Sequence, residues 1–415
     1  MRGRNALLPG AGTPPFRIGA ATLHPIRVRI RRKSLKYRVF RAEPGTYIYS
    51  STVPTIDTDP LFWGARAPRQ PHGNHLPDYK RVTMNLKGWI ERDGVRLSPD
   101  DVERMLREEP AALSRCGGEF LLTWDDCIAR DAFGIMPGPV APGTISCGRR
   151  EVARVAPDPP PCTLEEAIVT AVSLRSDEGV VAFSGGVDSA LIAGLAGLPC
   201  VAVGLRGSHD ALWAAAAARM MGLDLAIVTP TEEEVEEALR RVVQVIPDPT
   251  NPIEASIAAT LYFVTAWAEE HGHTRILAGQ GADELFGGYA RYLSSPDLAA
   301  ELERDLADHG RQRARDQAVA ALHGVYFSMP YIDTRVVRAA RAIPAGEMVR
   351  GGVRKHPLRA VAERHIPAEI ARTEKKAMQY GSGIWRAMQH LTRQNGYKKS
   401  VQGYLTEISR AEHGN

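Results

Sequence analysis

Within this 415-residue chain, Phe183-Ser184-Gly185-Gly186-Val187-Asp188-Ser189-Ala190 packs the most chemistry into the fewest residues. Paired glycines allow positive φ and close backbone approach, the two serine hydroxyls can donate to phosphate oxygens, and Asp188 can hold a cation that bridges phosphates. Such a turn binds an anion when a strand feeds it and a helix leaves it, because backbone N–H groups and the positive end of the helix dipole then point at one spot. The flanks predict both elements. Gly179-Val180-Val181-Ala182 reads as a buried parallel strand, and Leu191-Ile192-Ala193-Gly194-Leu195-Ala196 reads as a helix. The chain carries neither G-x-x-x-x-G-K-S/T nor a G-x-G-x-x-G opening a helix after a strand, which sets it apart from P-loop kinases and dinucleotide-binding dehydrogenases.

A second constellation, Arg275-Ile276-Leu277-Ala278-Gly279-Gln280-Gly281-Ala282-Asp283-Glu284-Leu285-Phe286-Gly287-Gly288-Tyr289, predicts a further strand ending in a glycine-opened loop with two adjacent carboxylates. Adjacent acids ordinarily make a solvated helix start. Beside a phosphate loop on the same sheet, Asp283 instead supplies a second ligand, and Asp188 with Asp283 is expected to bind Mg²⁺ on ATP.

The elements that must position these residues follow in order. Thr163-Leu164-Glu165-Glu166 is a capping box opening a helix to about 174. Strand 180–183, the loop and its helix come next, then strand 200–205, helix 210–221, strand 224–228, helix 232–243 and helix 253–271. Strands alternating with helices at this spacing predict a doubly wound parallel sheet, an α/β fold with its ligand at the carboxyl ends of the strands. Val203 and Gly204, ending the second strand, are where an adenine or ribose would lie. The run Ala214 to Ala218 reads as a close-packing helix face.

Ahead of this sheet, Ala156-Pro157-Asp158-Pro159-Pro160-Pro161 reads as a stiff linker and domain boundary. Residues 84–155 form a smaller β-rich domain: an alternating strand from Met84, the hairpin signal Asp93-Gly94, a helix capped by Ser98, and a strand over 117–126. Residues 1–83 hold 15 Lys/Arg against 4 Asp/Glu, so the net charge of +4 hides a basic head and a mildly acidic body. Three readings are open for the head: a disordered tail, a start that belongs at Met84, or a nucleic-acid-binding arm. At 44% apolar and 24% charged residues the rest is an ordinary globular chain. No apolar run reaches a membrane span, and Met1-Arg2-Gly3-Arg4 opens no signal peptide. The five cysteines, Cys116, Cys127, Cys147, Cys162 and Cys200, show no C-x-x-C spacing. They are expected to be reduced in a cytoplasmic protein, with neither zinc nor a disulfide framework. The closing stretch, 398–415, is polar and is expected to fray.

Taken together, Ser184 to Ser189 resembles the pyrophosphate loop S-G-G-x-D-S of ligases that split ATP into AMP and pyrophosphate. The 278–289 stretch is similar to S-G-E-G-A-D-E-L-F-G-G-Y of asparagine synthetases. The resemblance implies an adenine nucleotide α-hydrolase-like, PP-loop ATPase fold over about 162–395. In it Ser184, Gly185, Gly186, Asp188 and Ser189 would bind pyrophosphate, Gly279 would line the adenosine pocket, and Asp188 and Asp283 would bind the metal. The segments Phe327 to Asp333 and Lys355-His356-Pro357-Leu358-Arg359 look like the family's P-F-L-D and K-x-x-L-R, more often packing and ion-pair elements. In Arg372 to Gly383 the family has a lysine that reaches the α-phosphate. Lys376 is the first choice here and Lys375 the second. Two positions depart from the pattern, Ala278 for serine and Gln280 for glutamate. That glutamate manages the proton of attacking ammonia, and β-lactam-forming relatives also replace it, so the position tracks the nucleophile.

The stretch Gly117 to Gly138 resembles the later half of the family's glutaminase domain, an Ntn-type fold. The nucleophile there is an N-terminal cysteine. Here no cysteine follows Met1 or Met84, so residues 84–155 are expected to be a truncated remnant serving as a platform. The expected activity is amide formation from a carboxylate, aspartate first, through an acyl-adenylate. Nitrogen would come from free ammonia or a separate amidotransferase subunit, and a homo-oligomer is compatible. A lactam- or peptide-closing ligase of the same fold and a non-catalytic nucleotide-binding regulator are the alternatives.

Overall fold

The computed structural model describes residues 83–374, 378–397 and 400–411. The expectations for residues 1–82, Lys375 and Lys376 lie outside the described residues.

The first body is an antiparallel sheet built from β1 (Met84–Arg92), β2 (Val95–Arg96), β3 (Gly117–Trp124), β4 (Cys127–Arg130), β5 (Thr144–Cys147) and β6 (Arg150–Arg154), in the spatial order β2-β1-β3-β4-β5-β6. Asp93 and Gly94 both take positive φ, 55° and 81°, which matches the right-handed twist of the hairpin they close. Helix α1 (Pro99–Glu108) starts at a complete Ser98/Asp101 capping box and lays Val102, Met105 and Leu106 against Ile90, Phe120 and Leu122 of the sheet.

One expectation fails here. Cys127 and Cys147 are direct partners across β4 and β5 and form a disulfide, their Cα atoms 4.0 Å apart. They lie 20 residues apart in sequence, and only the antiparallel register brings them face to face.

The second body alternates as its periodicity requires: α2 (Leu164–Ser173), β7 (Val180–Ala182), α3 (Val187–Ala196), β8 (Cys200–Val203), α4 (His209–Met221), β9 (Leu225–Val228), α5 (Glu232–Val242), α6 (Pro252–Glu270), β10 (Arg275–Leu277), α7 (Ala282–Phe286), α8 (Leu298–Ala321) and β11 (Tyr326–Ser328). The five strands are parallel in the order β11-β10-β7-β8-β9. From β7 the chain winds outward through β8 to β9, then returns to the other side for β10 and β11. The winding reverses between β7 and β10, which is the switch point where such sheets bind ligands. Strand β11, in the Phe327 segment, was not anticipated. At this sheet edge Gln317 of α8 takes both the N–H and the C=O of Phe327, at 3.0 and 2.7 Å, in place of a further strand.

The chain then runs through α9 (Thr334–Arg341), α10 (Ala345–Met348), the hairpin β12 (Val349–Arg350) and β13 (Val353–Arg354), α11 (His356–Ala362), α12 (Ala368–Arg372), α13 (Met378–Gly381), α14 (Ile384–Gln394) and α15 (Val401–Ala411). Of the stretch 398–415, expected to fray, residues 400–411 are described, and there the last helix corrects the expectation. Tyr404, Leu405 and Ile408 recur on one stripe and are buried, and the Tyr404 hydroxyl donates to Glu236 of α5 at 3.2 Å. Polar composition concealed a narrow apolar face. No helix among the described residues is long and apolar enough to cross a membrane.

The two bodies are joined through buried charge. Glu119 of β3 is fully buried and accepts from Arg175 Nε at 2.8 Å, the Met329 amide at 3.0 Å, Ser328 Oγ at 2.6 Å and Trp89 Nε1 at 3.3 Å. Arg175 also donates to Asp333 at 3.1 Å, and Glu91 of β1 pairs with Arg335 at 2.8 Å.

Candidate active site

Ser184, Gly185 and Gly186 connect β7 to α3 at the switch point. Gly185 has φ 73°, and a Cβ there would sit 2.8 Å from Trp213 Cδ1, so both backbone conformation and packing demand glycine. Trp213 of α4 fixes the turn by donating from Nε1 to the Gly185 carbonyl at 2.8 Å. The motif did not reveal it, since it lies 28 residues away. Ser184 and Ser189 join hydroxyls at 3.0 Å, and the Ser184 amide donates to Ser189 Oγ at 3.1 Å. Gly186 N-caps α3 without any side-chain cap, so the first-turn amides have no capping acceptor from the N-cap residue.

Asp188 lies on the first turn of α3. Its backbone carbonyl accepts from the Tyr331 hydroxyl at 2.9 Å, which puts the Phe327–Asp333 segment beneath the loop. Its carboxylate meets Lys355, whose Nζ is 2.7 Å from Asp188 Oδ2 and 2.7 Å from Asp283 Oδ1. Residues 95 positions apart thus converge on one ammonium. Burial pushes the Asp188 carboxyl up and the Asp283 charge adds to this, against the pull of Lys355. Burial opposes the Lys355 charge too, but the two carboxylates outweigh it and hold the amine protonated.

Lys355 was read from sequence as part of a packing and ion-pair element; that its partners are the two acids of the site is the main addition the structure makes. It occupies the left-handed region at φ 56°, a strained backbone for a side-chain-bearing residue, at a cost of about 1–2 kcal/mol. Gly288 makes room for this cluster, because a Cβ there would land on the Asp283 carboxylate and on Lys355 Cε. A Cβ at Gly279 would stand 3.0 Å from Asp188 Cβ, which places that glycine against the phosphate loop.

Asp188 Oδ1 is buried and has no hydrogen-bond partner among the described residues. Two carboxylates facing one cationic centre, one with an unused oxygen, fit a divalent cation whose remaining ligands come from phosphate oxygens. Among the described residues no group of three acidic, His or Cys side chains could hold a metal alone.

The adjacent acids at 283 and 284 part company. Glu284 is buried and accepts from the Tyr289 hydroxyl and, at 2.8 Å, from Gln312 of α8. Gln280 donates from Nε2 to the fully buried Asp316 at 3.0 Å, and Asp316 is held by Arg315, itself paired with Glu254 at 2.9 Å. A glutamate at 280 would set a second carboxyl at that hydrogen bond. Gln280→Glu is expected to cost about 1–3 kcal/mol at pH 8, with the loss shrinking toward pH 5 as the two carboxyls come to share a proton. Urea unfolding at the two pH values checks it; equal stability of both proteins at pH 8 would remove the contact.

Val203 ends β8, and Gly204 is needed there because a Cβ would strike Ser208, the N-cap of α4. The segment carrying the lysine pair has both flanks fixed near the loop. Glu374 pairs with Arg354 at 3.1 Å, and the Leu205 amide donates to the Ser382 carbonyl at 2.8 Å.

Comparison with known proteins bears on this arrangement. The family model described as asparagine synthase matches residues 163–319 and 294–405. A Methanocaldococcus jannaschii protein with a provisional name as a glutamine-hydrolyzing asparagine synthetase is 31% identical over 291 residues, 60% of this chain and 53% of its own. Asparagine synthetase B of Escherichia coli is 31% identical over 190 residues, 44% of this chain and 34% of its own. The carboxyethyl-arginine beta-lactam-synthase of Streptomyces clavuligerus is 28% identical over 242 residues, 56% and 46% of the two chains. Among solved structures, NMN synthetase from Francisella tularensis aligns with a TM-score of 0.24 at 14% identity, over 56% of this chain and 96% of that one. The chain spans about half the length or less of these curated relatives.

Proposed function

The chain belongs to the asparagine synthase family, and from that premise we propose that it activates a carboxylate, aspartate first, with ATP and converts it to an amide, releasing AMP and pyrophosphate. The observation that supports this reading most is the meeting of Asp188, Asp283 and Lys355 at the switch point, beside the Ser184–Ser189 loop.

In this reading the loop hydroxyls and the first-turn amides of α3 bind the β- and γ-phosphates. Gly279, Val203 and Gly204 border the adenosine. Lys376, or Lys375, faces the α-phosphate and stabilises the charge that develops as the acid attacks. Asp188 and Asp283 would hold Mg²⁺, which supplies charge neutralisation on the phosphates. Lys355 keeps the two acids together and balances them.

Nitrogen would come as ammonia, free or from a separate subunit. Within the described residues the cysteines offer no activated thiol. Burial pushes Cys116 up to about 11 and Cys200 up to about 12, Cys162 is also raised, and Cys127 and Cys147 are bonded to each other. The antiparallel sheet then serves as a platform.

Gln280 favours a second reading. Its amide is committed to Asp316, so no carboxylate stands at this position to take a proton from ammonia. A ligase that closes a lactam or peptide on an internal amine suits that arrangement, and the beta-lactam-synthase relative has such a product in its name.

The test is the full chain with ATP, Mg²⁺ and aspartate, with ammonia or glutamine, followed by mass spectrometry of AMP and the amide. Asparagine from ammonia and not from glutamine is expected. AMP formation only with an acid that carries its own amine would give the second reading, and no AMP with any acid would end both.

A further inference from the structure

Two adjoining cavities lie between the antiparallel sheet's 130–142 segment and α8, away from the phosphate loop. The larger, about 430 Å³, is walled by Pro137, Pro142, Ala314, Ala318 and Ala321 with Arg130; the smaller, about 260 Å³, includes His309. Arg313 and Pro142 line both. The larger is within the usual size of small-molecule sites, and its walls are mostly apolar.

Two guanidinium groups, Arg130 and Arg313, face the larger cavity. Arg130 spends its nitrogens on the carbonyls of Met136, Val140 and Gly134, at 2.7, 2.9 and 2.9 Å. Arg313 contacts His309 Nδ1 at 3.3 Å. Among the described residues neither guanidinium has a carboxylate partner. The nearby acids are otherwise engaged: Asp131 accepts from the amides of Ile135 and Met136, and Glu303 pairs with Arg341 at 2.7 Å. A guanidinium only donates, so His309 Nδ1 accepts and the ring proton sits on Nε2. Burial and the charges of Arg313 and Arg315 keep this ring neutral, its pKa pushed down to about 4. His309 is 1% exposed, and its Nε2 is buried with no partner among the described residues.

Among the described residues Arg313 has no carboxylate at ion-pair distance, only the buried Asp131 charge farther off, and beside the apolar walls of the larger cavity it suits an anion with an apolar body. We propose that these adjoining cavities bind a small organic carboxylate, its head on Arg313 and its body against the alanine face of α8. The site is separate from the catalytic one but shares its helix. His309, Arg313 and Gln317 follow at i, i+4 and i+8, while Gln312 and Asp316, on the adjacent stripe, hold Glu284 and Gln280.

The test uses hexanoate, with hexanol as its neutral isostere and inorganic phosphate as a bodiless anion, titrated calorimetrically into the full chain. Hexanoate is expected to bind one site per chain, at least tenfold more tightly than hexanol or phosphate. Arg313→Met should weaken hexanoate at least tenfold and leave hexanol unchanged. Ala318→Trp, which fills the larger cavity without altering charge, should abolish binding with the melting transition retained; it decides the question alone if Arg313→Met fails to fold. Asp188→Asn should leave hexanoate binding as it is. Equal affinity for phosphate, binding that survives both cavity variants, loss of binding in Asp188→Asn, or no binding at millimolar hexanoate would each overturn the proposal.

Discussion

Asp188→Asn is expected to reduce ATP-dependent pyrophosphate release by at least about 10²-fold while the protein keeps its fold. The side chain loses its charge but not its size, and Lys355 keeps Asp283 at 2.7 Å, so the cluster retains one carboxylate for one ammonium. Losing a half-buried carboxylate whose ionisation burial already opposes costs the folded state little. The proposed reaction would lose a negative oxygen beside the Ser184–Ser189 loop. Pyrophosphate release measured beside far-ultraviolet circular dichroism separates the two effects. Unchanged release in a folded variant would remove Asp188 from the site, and with it the reading of the Asp188–Lys355–Asp283 cluster.

The second large effect lies at the junction of the antiparallel sheet and the α/β body. Glu119→Leu should destabilise the protein by about 3–5 kcal/mol, because it leaves the buried Arg175 guanidinium with Asp333 as its one carboxylate and strips the acceptor from Ser328 and the Met329 amide. Against the roughly 5–15 kcal/mol that holds a domain together, this is a large share. The double variant Glu119→Leu with Arg175→Met should recover part of the loss, since it removes the buried guanidinium together with the carboxylate it faced, while Asp333 keeps Arg335 at 3.2 Å. Guanidinium unfolding of the three proteins decides it. A loss below about 1 kcal/mol in Glu119→Leu would mean that the sheet is not held to the α/β body by this cluster. The same contact reaches the site, for the segment it anchors carries Tyr331, whose hydroxyl donates to the Asp188 carbonyl.

Periodicity and capping made most of the fold legible. The cap at Ser98, the capping box at Thr163 and the fully apolar strands β7 and β8 are local signals, written in neighbouring residues, and they placed those elements to within one or two positions. The glycines of the phosphate loop were equally readable, since the demand for positive φ at Gly185 is a property of the turn itself. Strand β11 and helix α15 escaped because three residues are too few for a period and a polar surface masked a three-residue stripe. The Cys127–Cys147 disulfide escaped because pairing across strands depends on register, which cysteine spacing does not encode.

By itself, then, the sequence determined the alternation of strands and helices and the glycine turn between β7 and α3, because each is fixed by interactions among residues close along the chain. Tertiary structure alone decided that Lys355 stands between Asp188 and Asp283, that Gln280 faces Asp316, and that Arg313 lines one cavity with Arg130 and the adjoining one with His309. Those are meetings of residues brought together by the reversal of winding at β7 and β10 and by the docking of α8. Where two charges come to lie depends on how whole elements pack.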